Sequence, residues 1–136
     1  MRLVPAVRDE EMEFAAFGSH KTATVKGTWD AGAQEKNVTS PNTLGYFGRI
    51  YAWQKPEAKA VDGKYAKTDM GFPHHMVSAD GTPGAANLTG CSAAIGRLNG
   101  GAGGADRQGI YNHIANHMRD GGAEPPGFGA TAQRGV

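Results

Sequence analysis

The hydrophobic positions of the chain are most regular near its carboxyl end. Ile110, Ile114 and Met118 recur every fourth residue, which is the spacing of one face of an α-helix. Asp106 precedes them and can cap the amino end of such a helix. The pattern therefore predicts a helix over residues 106–120, and so short a helix must pack against another element to be stable.

A second helical pattern covers residues 85–98, and a loop with four glycines at 99–105 joins the two. The apolar residues of both segments fall at three- and four-residue spacing, so each helix has one apolar face. The two faces predict a helix pair in the carboxyl half, with a shared core made of Leu88, Cys91, Ile95, Leu98, Ile110, Ile114 and Met118.

Shorter patterns occupy the amino-terminal half. Alternation within residues 20–30 predicts a strand, and Asp30 can cap a short helix over 31–36. Residues 43–54 carry apolar side chains at helical spacing and favour a helix, with a strand as the alternative. Residues 64–78 are predicted to be extended, because the Phe72–Pro73 bond excludes a helix across it.

These elements predict a small α+β domain with a carboxyl-terminal helix pair and a few short strands. We expect an amino-terminal arm at 1–19, a globular domain at 20–122 and a carboxyl-terminal tail at 123–136. Hydrophobic residues make up 39% of the chain, and 21 of its 136 residues are glycine. A modest core with long irregular segments follows from this composition.

Charge and composition exclude several classes of protein. The net charge is +1, which gives no electrostatic basis for binding nucleic acid or a membrane surface. No apolar run approaches the roughly 20 residues of a transmembrane helix, and the early acidic residues are unlike a signal peptide. The single cysteine, Cys91, excludes an internal disulfide and is expected to be a small buried residue.

The histidines are the only candidates for chemistry. His113 and His117 lie one helical turn apart, a spacing that can present two imidazoles to one metal ion. His74 and His75 are neighbours on an extended segment and should face opposite sides, so at most one is expected to join them. No glutamate or cysteine motif accompanies the pair. We therefore expect the helical histidines to bond loop backbone near the core edge, with no cofactor, and keep a metal site as the alternative.

A set of short motifs runs through the same region: Phe72-Pro73-His74-His75, Gly84-Ala85-Ala86-Asn87, Ala94 to Gly100, Ala105 to Ile114, and Glu124-Pro125-Pro126. Together they resemble a small domain encoded in head-gene modules of HK97-type tailed bacteriophages. That domain is found beside, or fused to, prohead proteases and other head proteins. The resemblance covers about residues 20 to 126.

The resemblance implies a virion head component. A small core, glycine-rich arms and near-zero net charge are compatible with a minor capsid protein of the decoration, or cement, type. Such a protein binds the assembled shell and stabilises it by mass action. Its partner would be the major capsid protein, with self-association on the lattice as a further option, and its contact candidates are Phe14, Phe17, Trp29 and Phe128.

Two other functions stay open. One is an accessory module for head assembly or maturation, associated with the prohead protease or scaffold. The other is a small metal-dependent enzyme that uses His74 or His75 together with His113 and His117. If the protein is a capsid decoration protein, we expect no enzymatic activity. We also expect it to be made in the host cytoplasm and to be located in the virion.

Overall fold

The computed structural model of the protein describes residues 16–101 and 106–128. Within them the helices and short strands confirm the α+β class. In chain order they are β1 (Thr24–Val25), α1 (Ala31–Asn37), α2 (Leu44–Phe47), β2 (Tyr51–Gln54), a 3-10 helix (Lys67–Asp69), β3 (Met70–Pro73), β4 (His75–Val77), β5 (Pro83–Asn87), α3 (Leu88–Asn99) and α4 (Arg107–Asp120). Most of the expected amino-terminal arm and the end of the tail lie outside the described residues.

The strands form two small sheets that meet at one residue. β5 is central in the first sheet, where it pairs in parallel with β1 and antiparallel with β4. β2 and β3 form the second sheet as an antiparallel pair. Between β3 and β4, the amide of His74 donates to the Ile50 carbonyl (3.0 Å) and its carbonyl accepts from the Asn87 amide (2.8 Å). The chain therefore passes from one sheet to the other at His74.

The carboxyl-terminal helix pair forms as its apolar spacing predicts. Asp106 caps α4 by accepting from the Gly109 amide, and Asn87 caps α3 by accepting from the Gly90 amide. The seven residues expected in the shared core are all buried in one cluster: Leu88, Cys91, Ile95, Leu98, Ile110, Ile114 and Met118.

Two predicted boundaries were wrong. The helix expected to begin at residue 85 begins at Leu88, because the residues before it form β5 between two neighbouring strands. The helix favoured across residues 43–54 ends at Phe47, and Tyr51–Gln54 is a strand. In both places pairing with distant strands outweighs the local helical pattern.

A second apolar cluster lies around α2, β2 and β3. Its buried members are Val38, Phe47, Ile50, Tyr51, Met70 and Val77. Trp29, one of the capsid-contact candidates, packs directly on α3 at Gly90. Because Gly90 has no side chain, the indole can approach the helix backbone closely.

Two glycines of α3 should respond to alanine in opposite directions. A methyl group at Gly90 would lie 2.6 Å from Cδ2 of Trp29, whereas one at Gly96 would have no atom within 4 Å. We expect Gly90→Ala to lower the free energy of unfolding by about 1–3 kcal/mol through overpacking. Gly96→Ala should raise it by about 0.5–1 kcal/mol, because alanine loses less entropy in a helix. Thermal denaturation of both variants checks this, and equal shifts would contradict the packing of Trp29 on α3.

Candidate metal centre

All five histidines of the chain lie at one place in the fold. His20 comes from the segment before β1, His74 and His75 from the junction of β3 and β4, and His113 and His117 from successive turns of α4. The last four are each at most 1% exposed, and His20 is partly buried. Burying several histidines together costs free energy unless their ring nitrogens find partners, since each ring loses its hydration.

The expectation that only one of His74 and His75 could join the helical pair was wrong. Alternation of side chains holds within one continuous strand. Here the backbone changes sheets at His74, and Phe72, two residues earlier, has a positive φ of 63°. This break in the pleat turns both imidazoles towards α4, where the His74 and His75 ring centroids lie 5.1 Å and 4.9 Å from that of His117.

His117 is at the middle of the cluster. Besides its contacts with the two junction histidines, its ring centroid lies 4.9 Å from that of His20 and 5.2 Å from that of His113. His117 therefore contacts each of the other four rings.

Three of the buried imidazoles are held by backbone carbonyl groups. A carbonyl oxygen only accepts, so the Nδ1 atom facing it must carry the proton, and the neutral ring then has its lone pair on Nε2. The three bonds run from His74 Nδ1 to the Phe72 carbonyl (2.9 Å), from His75 Nδ1 to the Gly84 carbonyl (2.8 Å) and from His113 Nδ1 to the Phe17 carbonyl (2.9 Å). Histidines that bind metals are commonly oriented in this way.

The Nε2 atoms of His74 and His113 lie 3.2 Å apart. Because both Nδ1 atoms donate to carbonyls, neither neutral ring has a proton to place between the two nitrogens. Two lone pairs facing each other at this distance repel, unless a cation lies between them. Two imidazole ligands of a tetrahedral zinc ion, each about 2.0–2.1 Å from the metal, stand roughly 3.3 Å apart. The observed separation fits that geometry.

Burial keeps the cluster uncharged at neutral pH. It lowers the pKa of His75 and His113 to about 4 and that of His117 to about 3. The pKa of His74 is held well below its usual value, again chiefly by burial, and that of His20 is lowered by burial and by the nearby Arg49. Neutral imidazole is the form that binds metal ions.

Several ring nitrogens are buried and have no hydrogen-bond partner within residues 16–101 and 106–128. Both nitrogens of His117 and Nε2 of His75 are in this state. Leaving a buried polar atom unpaired costs about 1–3 kcal/mol. The expectation that the helical histidines bond loop backbone is thus confirmed for His113 and wrong for His117.

The ligand atoms fall into two groups of three, within each of which the nitrogens lie no more than 4.8 Å apart. The inner triad is His74, His113 and His117, and the outer triad is His20, His75 and His117. Three imidazoles with a fourth position for water form a ligand set that zinc uses in enzymes.

Two members of the outer triad, His20 and His75, line a cavity of about 470 Å³. Its lining also includes Lys21 and Arg49, and none of the described residues that line it is a carboxylate. Lys21 is largely exposed and pairs with Asp120 at 3.2 Å. The cavity therefore connects His20 and His75 with the solvent, and a metal ion that enters it passes the positively charged Lys21 and Arg49.

Sequence reasoning missed His20 because it lies far from the other histidines along the chain and no spacing pattern connects it to them. None of the described residues expected to contact a capsid belongs to either triad. Phe17 packs against the second apolar cluster, Trp29 lies on Gly90, and Phe128 stacks on Tyr111 with centroids 5.1 Å apart. Phe14 is outside the described residues.

Comparisons of this chain with protein-family models, curated proteins and solved structures give no match. The resemblance to phage head modules therefore stays a prediction. Across residues 16–101 and 106–128, no helix is long and apolar enough to cross a membrane.

Lowering the pH should destabilise the metal-free protein already at pH values above the pKa range of ordinary carboxyl groups. The unfolded histidines have a pKa near 6.5, whereas His75 and His113 titrate near 4 in the fold, so between these values the unfolded chain binds more protons. The free energy of unfolding should be constant above about pH 7 and fall from about pH 6.5 to pH 4. The slope is at most about 1.4 kcal/mol per pH unit for each histidine. Urea denaturation with a chelator at several pH values checks this, and constant stability down to pH 5 would contradict it.

Proposed function

We propose that the protein binds a divalent transition-metal ion in its histidine centre, and that this ion holds together the segments that carry the histidines. The observation that most directly supports the proposal is the 3.2 Å separation of the His74 and His113 Nε2 atoms. Each of these rings is oriented by a carbonyl on its far side, so that both lone pairs point at the same space.

A shared proton is the alternative occupant of that space. It would leave a bare imidazolium charge in a buried site, and burial already lowers the pKa of both histidines. A metal ion also brings charge, but several coordinate bonds compensate for it. The nitrogens of His117, which have no hydrogen-bond partner in the described part of the chain, are available to supply further bonds.

The ligand set narrows the choice of ion. Imidazole suits zinc, copper, nickel and iron, whereas magnesium and calcium take oxygen ligands. Both triads consist of histidines alone. Zinc is the first ion to test, because the spacing of His74 and His113 matches tetrahedral coordination.

The ion would contribute directly to folding. It would connect the segment before β1, the β3–β4 junction and helix α4, which are distant along the chain. A ligand that binds only the folded state stabilises it by about 4 kcal/mol at a thousandfold excess over its dissociation constant. For a domain with a modest core, that is a large fraction of the total stability.

Metal-free protein should take up at least one zinc ion per chain, with a rise in melting temperature. We expect His113→Gln to weaken zinc binding by more than about a hundredfold, since losing only an outer partner of a ligand costs 10–100-fold. Asn112→Gln is the matched control, because it introduces the same side chain at an exposed position of α4. Calorimetry measures the binding, with circular dichroism to verify folding.

The cobalt(II) form of the unaltered protein gives a readout that does not depend on the folding of a variant. Four-coordinate cobalt absorbs visible light much more strongly than the hydrated ion. Strong absorption at one equivalent is the expected result. Binding of neither zinc nor cobalt would contradict the proposed function.

We propose, second, that the protein acts as a virion head component. The sequence resemblance supports this, and two of the resembling motifs contain three of the five histidines. On this proposal the ion has a structural role in a capsid decoration protein and takes no part in a reaction. The absence of enzymatic activity stays a prediction.

Quantitative mass spectrometry of purified phage particles tests the second proposal. We expect a fixed ratio of this chain to the major capsid protein in mature particles. Presence in proheads alone would favour the accessory role in head maturation. Absence from both would exclude a place in the head and leave the metal proposal unaffected.

A further inference from the structure

We propose that the centre is binuclear: His20 and His75 hold a second transition-metal ion, and the ring of His117 bridges it to the ion of the inner triad. The proposal rests on the metal-binding function proposed above, and it adds a second site with a different exposure to solvent.

The grouping of the ligand atoms is the first argument. The nitrogens converge as two triads rather than as one set of five, and His117 is the member common to both. The inner triad is completely buried, whereas the outer triad includes the partly buried His20. Two centres of convergence are what two ions require.

The second argument is the state of His117. His74, His75 and His113 each use Nδ1 on a backbone carbonyl and can offer only Nε2. Both nitrogens of His117 are buried and have no hydrogen-bond partner among the described residues. His117 can therefore bind one ion through each nitrogen. On binding the second ion its ring loses its remaining proton to solvent and becomes imidazolate, whose negative charge offsets part of the added positive charge.

Access to solvent is the third argument. The cavity of about 470 Å³ is lined by His20 and His75, but by no residue of the inner pair His74 and His113. The outer ion can thus enter and leave without unfolding, and a water or a small anion beside Arg49 can complete its coordination. The inner ion should exchange more slowly, since its histidines are enclosed.

Copper(II) titration of the full chain, prepared metal-free and without an affinity tag, tests the bridge. Native mass spectrometry should count two ions per chain at saturation. The electron paramagnetic resonance signal should grow up to one equivalent and then decrease with the second, because two copper ions joined by imidazolate couple antiferromagnetically. Binding of a single ion would overturn the proposal, as would two ions whose signals simply add.

His20→Gln separates the two sites. This partly buried residue contributes to the outer triad alone, so the variant should fold, bind one ion and keep its full resonance signal. Lys26→Gln, at an exposed position outside the cavity lining, is the control and should still bind two coupled ions. Two coupled ions in His20→Gln would also overturn the proposal. If the unaltered chain binds no ion, the proposed metal-binding function is contradicted as well. If it binds a single ion, only the binuclear proposal is contradicted.

Discussion

The approach of the β3–β4 junction to helix α4, where His74 meets His113, is the contact on which this structure most depends. It brings two neutral imidazoles together with their lone pairs facing, at a cost that ordinary hydrogen bonding does not recover. The Phe72 and Phe17 carbonyls on the far sides of the rings fix this orientation and do not reduce the repulsion between the lone pairs. This arrangement supports the proposal that a cation lies between the two rings.

The same junction organises the strands. His74 gives its amide to the β2–β3 sheet and its carbonyl to the sheet centred on β5, so its backbone ties the two sheets together. Phe72, just before it, reaches the helix-pair core, while Ile50 belongs to the second cluster. The histidine centre thus lies where both sheets approach α4. A substitution there would alter the packing of both apolar clusters.

The centre also anchors the beginning of the described chain. His113 donates to the Phe17 carbonyl, the Phe17 amide donates to Ala52, and His20 contacts three of the other rings. A bound ion would hold this segment against helix α4 and the β3–β4 junction. The described aromatic candidates are partly buried against this chain's own core, so any capsid contact they make would use their remaining exposed surface.

Local patterns determined the helix pair. The four-residue recurrence of Ile110, Ile114 and Met118 and the cap at Asp106 act within one turn of helix, so the sequence alone placed α4 and its buried face. The spacing of His113 and His117 was visible for the same reason. The start of α3 was misplaced because β5 is held between β4 and the distant strand β1, whose Thr24 pairs with Ala86.

Only the tertiary structure decided the centre itself. His20 has no periodic relation to the other histidines, and the shared orientation of His74 and His75 arises where the backbone leaves one sheet for another at a positive φ. Alternation along a strand is a local rule, and it fails where long-range pairing bends the strand. The sequence alone determined which residues could bind a metal, and the packing of sheets on helix decided that all five meet.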